Sequence, residues 1–233
     1  MFRILFSSLF TCAYATSSIA GITIDGTRII FPSNAKSVNV QLRNTFDTPA
    51  LAQIWIDNGD ANVIPKANEI PFVITPSLTR IEGKKGQIIR IIPTTTSTLP
   101  QDRESLFWFN LHDIPPDSVQ HKAENKLKFT IRSRLKLFYR PDNLEIRPVK
   151  AYQSLSFSRT GRGIDIKNPS PYFIVMTELN ASKNKLLQNS VVIKPFDHAE
   201  ITPKKGSLNI TKLDYTVLND FGEGQDYSTT LTK

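Results

Sequence analysis

Short runs of alternating apolar and polar residues follow one another along most of this chain, separated by Pro, Gly, Asn and Asp. Alternation with period two puts the apolar side chains on one face of a β-strand, whereas a helix needs a period near 3.6. No stretch of ten or more residues has a convincing helical period. Because evenly spaced short strands with turn residues are typical of antiparallel sandwiches, the pattern predicts an all-β fold. We predict strands at 22–31, 37–43, 50–57, 87–93, 106–111 and 127–138, and, with a weaker pattern, at 155–158, 163–167, 172–179, 191–193 and 215–218.

Two domains are predicted from the length and from a break in the strand pattern. The chain has 233 residues, and a domain commonly has about 100 to 150. Proline interrupts the pattern at Tyr139-Arg140-Pro141-Asp142 and again at Pro148, and a proline removes a donor from a β-ladder. We therefore expect two immunoglobulin-like sandwiches, an N-terminal domain at 21–141 and a C-terminal domain at 142–233.

The first twenty residues have the composition of a secretory signal peptide. Met1 and Arg3 give a short positive start, residues 4–15 are mostly apolar, and Ser18-Ile19-Ala20 resembles a cleavage site. No later apolar stretch is long enough to span a bilayer, so the sequence predicts export without membrane insertion of the mature chain. The single cysteine, Cys12, lies inside this segment. The mature fold is therefore expected to depend on buried apolar surface and not on disulfides.

The basic residues do not form a nucleic-acid site, although the formal net charge is +8. They are dispersed along the chain and alternate with apolar residues instead of forming one block. His112, His121 and His198 lack metal-ligand spacing, and no catalytic constellation is recognisable. The sequence therefore predicts neither an enzyme nor a cofactor, and no nucleic-acid partner.

Residues 99–116, LPQDRESLFWFNLHDIPP, form the most specific motif of the chain. An acidic residue in an RES triplet precedes an aromatic strand that ends in an IPP turn. The segment resembles the signature of the periplasmic pilus-assembly chaperones, the PapD-like and FimC-like family. The matching positions are Pro100, Asp102, Arg103, Glu104, Ser105, Trp108, Asn110, Ile114, Pro115 and Pro116.

The resemblance covers nearly the whole predicted mature chain. It includes a first strand at Ile24–Phe31, a central strand at Ala52–Asp57, a KLFYRP segment at Lys136–Pro141 and an LNDFG segment at Leu218–Gly222. It implies two sandwiches in an L-shaped or boomerang arrangement in the periplasm. It also implies a chaperone that stabilises fimbrial subunits by donor-strand complementation and delivers them to an outer-membrane usher.

Three alternating apolar residues, Leu127, Phe129 and Ile131, precede the KLFYRP segment. Alternation alone favours the interpretation that they face this protein's own core. In the family that the chain resembles, the corresponding strand is an edge whose apolar side chains enter the groove of a subunit lacking its last strand. The resemblance therefore implies that these three residues form the subunit-groove edge strand.

Five charged residues complete the site that the resemblance implies. Arg28 and Lys136 correspond to paired cations that bind the C-terminal carboxylate of the subunit. Lys136 lies an odd number of residues from Ile131, so strict alternation puts the two side chains on opposite faces unless a bulge intervenes. Glu104, Arg140 and Asp220 match a charged trio that links the two domains.

A structural pilin or adhesin subunit built from sandwich domains is the alternative function. A subunit is expected to carry a cysteine pair and a donor segment at its mature N-terminus, and neither is evident in this sequence. The two-domain layout with Arg28 and Lys136 favours the chaperone.

Overall fold

The structure is a computed structural model that describes residues 21–66, 69–115, 130–161, 163–182, 184–202 and 211–231. The signal peptide predicted at residues 1–20 lies outside the described residues. Within them, β-strands and one short helix form two sandwiches, each with its own buried core. The all-β, two-sandwich prediction is confirmed. The L-shaped arrangement and the domain boundary at 141/142 stay predictions.

The N-terminal sandwich packs a four-stranded sheet of order β1-β3-β7-β5 against a five-stranded sheet of order β2-β9-β8-β4-β6. Its core includes Phe31, Leu42, Ile89, Phe109 and Leu137, which have no exposed surface. The strands are β1 (Ile22–Ile24), β2 (Arg28–Pro32), β3 (Val38–Asn44), β4 (Ala50–Asp57), β5 (Phe72–Thr75), β6 (Leu78–Ile81), β7 (Gly86–Pro93), β8 (Ser105–Ile114) and β9 (Ile131–Arg140).

The C-terminal sandwich packs a sheet of order β10-β11-β15 against one of order β13-β12-β16-β17, in which β14 also pairs with β12. Its core includes Phe157, Ile166, Met176, Leu213 and Val217. The elements are α1 (Pro148–Gln153), β10 (Ser156–Arg159), β11 (Ile164–Lys167), β12 (Ile174–Ala181), β13 (Asn184–Lys185), β14 (Val191–Ile193), β15 (His198–Ile201), β16 (Lys212–Leu218) and β17 (Gly224–Thr230).

The predicted strand at 22–31 is wrong as a single strand, because the chain changes sheets within it. Ile22–Ile24 pair with β3 in the four-stranded sheet, and Arg28–Pro32 pair with β9 in the five-stranded sheet. Gly26 lies between them with φ +99°, a conformation that residues with a Cβ rarely adopt. The switch puts the second half of the run next to β9.

β9 has a free edge over half its length. It pairs with β8 from Ile131 to Tyr139 but with β2 only from Lys136 to Arg140. Residues 131–135 therefore have no neighbouring strand on that side among the residues that the structure describes, and we call this stretch the free edge of β9. The pairing with β8 runs without a register shift, so the side chains of β9 alternate strictly between the two faces of the sheet.

The second half of the chain departs from the prediction in two elements. Pro148, predicted only as a break, begins helix α1, since a proline at the first helical turn loses no hydrogen bond. β17 lies in a tail whose polar sequence gave no strand prediction. Across the described ranges, no helix is long and apolar enough to cross a bilayer.

Candidate functional site at the domain junction

The structure brings Arg28 and Lys136 together on adjacent strands. They are direct partners in the parallel pairing of β2 with β9, so their side chains leave the same face of strands about 4.8 Å apart. The ammonium Nζ of Lys136 lies 4.8 Å from the ring centre of Trp108 on β8. Arg28 Nη1 donates to the carbonyl oxygen of Leu218 in the C-terminal domain at 3.4 Å. The cationic pair therefore lies where the two domains meet.

Both cations lie in surroundings that disfavour their charge. Burial lowers the pKa of Lys136, and the positive charges of Arg28 and Arg134 lower it further. Burial also lowers the pKa of Arg28, although Tyr152, Asp220 and Glu104 act in the opposite direction. Arg28 Nε is a buried donor without a hydrogen-bond partner in the described part of the chain. Such a pair should attract an anion, and a carboxylate can accept from a guanidinium and an ammonium together.

Ile131 and Lys136 lie on opposite faces of the sheet, as strict alternation requires, and no bulge intervenes. Ile131 shares its face with Leu135 and Leu137, the face toward the sandwich interior. It is nevertheless 51% exposed, because it lines an open groove with Leu135 and β1. Ile131 is thus an exposed apolar side chain on the free edge of β9. Leu127 and Phe129 lie outside the described residues.

The charged trio connects the two domains through one guanidinium. Arg140 Nε donates to Glu104 Oε1 at 2.7 Å, and its Nη1 and Nη2 donate to the two carboxylate oxygens of Asp220 at 2.7 Å each. Glu104 is 3% exposed, and its Oε2 accepts from the backbone N–H of Phe173 at 2.8 Å. The hydrogen bonds from Arg140 to Asp220 and from Phe173 to Glu104 join the N-terminal domain to the C-terminal domain.

Opposing effects act on the ionisation of the trio. Burial raises the pKa of Glu104, and Arg140 partly offsets the rise. Burial alone would lower the pKa of Arg140, but the hydrogen bonds and charges of Asp220 and Glu104 outweigh it and raise the pKa. Arg140 therefore favours the charged form of Glu104 more than any other group around it. Two further contacts support the junction: Glu104 N–H donates to the Pro171 oxygen at 2.9 Å, and the rings of Phe138 and Phe173 are 5.7 Å apart.

Sequence reasoning missed the partners that surround the cationic pair. Trp108 was matched as part of a motif without a role, and the register Trp108↔Lys136 is what puts it beneath the ammonium. Arg134 received no role, and neither did the carbonyl group of Leu218. These contacts depend on pairing between distant segments, for which the local sequence carries no signal. In the described ranges, no group of three or more His, Cys, Asp or Glu residues could hold a metal ion.

Two sandwiches joined through a charged junction define the class of two-domain pilus-assembly chaperones, and comparison with known proteins agrees. Residues 21–145 match the model of the pili and flagellar-assembly chaperone, PapD N-terminal domain. Residues 150–229 match that of the pili assembly chaperone PapD, C-terminal domain. The chain belongs to this chaperone family, and the predicted family is confirmed.

Relatives at substantial identity cover nearly the whole chain. The chaperone protein HifB of Haemophilus influenzae is 42% identical over 218 residues, covering 92% of this chain and 89% of that protein. The probable fimbrial chaperone YadV of Escherichia coli is 39% identical over 223 residues, covering 91% of each. The crystal structure of the Pseudomonas aeruginosa CupB2 chaperone matches with a TM-score of 0.76 at 32% identity, covering 90% of this chain and 100% of that chain.

Proposed function

We propose that this protein is a periplasmic chaperone for fimbrial subunits. It binds a newly exported subunit by pairing β9 with it, anchors the subunit's C-terminal carboxylate between Arg28 and Lys136, and delivers it to an outer-membrane usher. The free edge of β9 beside the cationic pair of Arg28 and Lys136 is the observation that carries the proposal. Family membership supports it, since relatives are named fimbrial chaperones.

The free edge supplies what an incomplete sandwich lacks. A subunit without its last strand exposes unpaired backbone groups and an apolar groove, which aggregate unless another strand covers them. Residues 131–135 offer unpaired backbone on one side, and Leu127, Phe129 and Ile131 offer alternating apolar side chains. Three fully buried side chains contribute about 5 to 9 kcal/mol before association entropy is subtracted. The strand can therefore provide much of the binding energy.

The cationic pair sets the register of the added strand. A C-terminus held between Arg28 and Lys136 fixes one end of the subunit's last strand, so each residue that precedes it meets one position of the free edge of β9. A one-residue slip would exchange the faces of all side chains. The absence of a nearby carboxylate partner for Lys136 within the described residues leaves this position open for a ligand.

Co-expression with neighbouring exported proteins, followed by pull-down and size-exclusion chromatography, tests the function. A chaperone is expected to co-elute with one subunit in a one-to-one complex, and the subunit should be lost from the periplasm without it. Self-polymerisation into fibres, with no captured subunit, would instead support the pilin or adhesin alternative.

Truncating Ile131 is expected to weaken subunit binding without unfolding the protein. Because Ile131 is already 51% exposed, Ile131→Ala should remove about 1 kcal/mol of binding energy, or about fivefold in Kd. The matched control is Ile88→Ala, since Ile88 is also 51% exposed but lies on β7 in the opposite sheet. Equal effects of the two variants in isothermal titration would contradict the assignment of the free edge.

Subunit affinity is expected to fall in alkaline solution at a lower pH than the pKa of an ordinary lysine would predict. The subunit carboxylate binds the protonated ammonium, and the pKa of free Lys136 is lowered from 10.5 by burial and by Arg28 and Arg134. Affinity should therefore be constant near neutral pH and decline as the pH rises through that lowered pKa. Titrations from pH 7 to pH 11 should show the decline in the wild type and a flat profile in Lys136→Arg over this range. A decline that persists in Lys136→Arg would assign it to another group.

A further inference from the structure

A buried carboxylate on the outward face of the five-stranded sheet has no part in the proposed anchoring of the subunit. Asp57, the last residue of β4, has no exposed surface. Its Oδ1 accepts from Arg134 Nη2 at 2.6 Å and from the backbone N–H of Gly59 at 2.7 Å. Its Oδ2 accepts from Asn110 Nδ2 at 2.7 Å. A buried carboxylate is costly unless it is paired and hydrogen-bonded, and Asp57 meets both conditions.

Asn110 extends this network from β8 to a second arginine of β9. Its side chain is fully buried. The amide oxygen accepts from Arg132 Nε at 3.1 Å and from Arg132 Nη2 at 2.7 Å, while Arg132 Nη1 donates to the Ala61 oxygen. We call Asp57, Asn110, Arg132 and Arg134 the Asp57 hub.

Each guanidinium of the hub is held by its face as well as its edge. Arg132 lies 4.8 Å from the ring centre of Trp55, and Arg134 lies 4.3 Å from the ring centre of Trp108. Stacking of a cation on an indole adds about 0.5 to 2 kcal/mol per contact. Hydrogen bonds along the edge and a ring against the face leave each planar group little freedom to rotate.

Both arginines project from the free edge of β9, which has β8 as its only described neighbour. A strand paired on one side opens more readily than one paired on both. Through Arg132 and Arg134 this stretch is tied across β8 to β4 and to the loop at 58–61. The hub thus replaces with side-chain contacts some of the support that a second neighbouring strand would give.

We infer that Asp57 is a positioning residue that keeps the free edge of β9 extended and ready for the subunit before binding. The inference rests on the proposed function of β9. A strand that is ordered in advance loses less conformational entropy on association, and the apparent affinity is reduced by the fraction of molecules that are not binding-competent. Losing the hub therefore slows association and leaves dissociation nearly unchanged, because the bound subunit itself covers the edge.

Amide exchange of the free, full-length mature chain tests the order of the strand directly. The variants are Asp57→Asn and Arg132→Gln. The first puts an amide where a charged acceptor is needed. The second removes the guanidinium that binds Asn110 and lies 3.8 Å from Asp57 Oδ2, and it leaves the Asp57 carboxylate and its bond to Arg134 in place. The control is Arg80→Gln. Arg80 lies on β6 of the same sheet and forms an exposed ion pair with Glu82. In both hub variants we expect amide exchange to rise about tenfold at the N–H groups of residues 131–135 that point toward β8, with core amides and the control unchanged. Unchanged exchange at these N–H groups would overturn the inference.

The hub also carries its own optical probe. The chain has two tryptophans, Trp55 and Trp108, and both stack under hub arginines. The fluorescence spectrum should therefore shift in the two hub variants and not in Arg80→Gln.

Binding kinetics separate the hub from the proposed function. With the subunit identified by co-expression, the hub variants should lower the association rate constant about tenfold and leave the dissociation rate constant within about twofold. If the hub variants associate at the wild-type rate while Lys136→Ala fails to bind, the inference about the hub is contradicted and the proposed function is not. Full binding by Lys136→Ala would contradict the proposed function, and the exchange experiment would still decide the hub.

Discussion

Lys136→Ala should leave the chaperone folded and abolish its protection of subunits. Truncating one member of a buried, hydrogen-bonded charge pair commonly costs about 2 to 5 kcal/mol of binding, or about 30-fold to several thousand-fold in Kd. The fold should not suffer, because the lowered pKa of Lys136 means that its charge opposes folding at neutral pH. A lysine whose folded pKa is depressed destabilises the fold below that pKa, where it is charged. The destabilisation disappears above the unfolded pKa, where the lysine is neutral in both states. We expect an unchanged or raised Tm and loss of subunit from the periplasm.

A second lysine serves as the control that shows whether the effect is specific to the domain junction. Lys150, on helix α1 of the C-terminal domain, is exposed, and Lys150→Ala removes the same charge from the molecule. It should retain full subunit protection. Wild-type pilus assembly by Lys136→Ala would count against the anchoring of the carboxylate.

Arg140→Leu should destabilise the molecule more than any single change in the binding site. It leaves Glu104, which is 3% exposed, without the guanidinium that offsets its burial, and it breaks both bonds to Asp220. Removing one partner of a buried ion pair costs about 3 to 5 kcal/mol. Urea unfolding of the purified protein measures this loss, and low periplasmic abundance should accompany it.

Asp220→Ala should have a smaller effect of the same kind. The side chain of Asp220 is 32% exposed, and Arg140 would keep its bond to Glu104, so misfolding or degradation is expected ahead of a specific binding defect. Arg80→Ala is the matched control, because the ion pair of Arg80 with Glu82 is exposed and should contribute less than about 1 kcal/mol. Equal destabilisation by Arg80→Ala and Arg140→Leu would contradict the role given to the trio.

The strands that carry the core could be predicted because their alternation is long and apolar. The strand at 50–57 matches β4 at both ends, and the one at 87–93 matches β7 to within one residue. The switch between β1 and β2 could not be predicted, because the alternation runs through it and the strand's partners lie elsewhere in the chain. β17 could not be predicted, because its pattern is polar and its pairing with β16 decides its conformation.

Residues of the candidate site could be named from the sequence where they stand in specific motifs. Arg28, Lys136 and the trio were named from segments that resemble the family, and the structure brings each set together. The face of Ile131 also followed from counting, since strict alternation puts Ile131 and Lys136 on opposite sides. The Asp57 hub could not be found this way. It joins β4, β8 and β9 through a register that only the folded sheet defines.

Amide exchange of the chaperone with and without a bound subunit tests the proposed strand addition most directly. In the free protein, backbone N–H groups at 131–135 that point away from β8 should exchange rapidly, since no described strand covers them. In the complex, these groups should become protected by at least about a hundredfold, because they would pair with the subunit's last strand. A stable one-to-one complex in which 131–135 exchange as fast as before, with protection confined to another surface, would contradict donation of this strand.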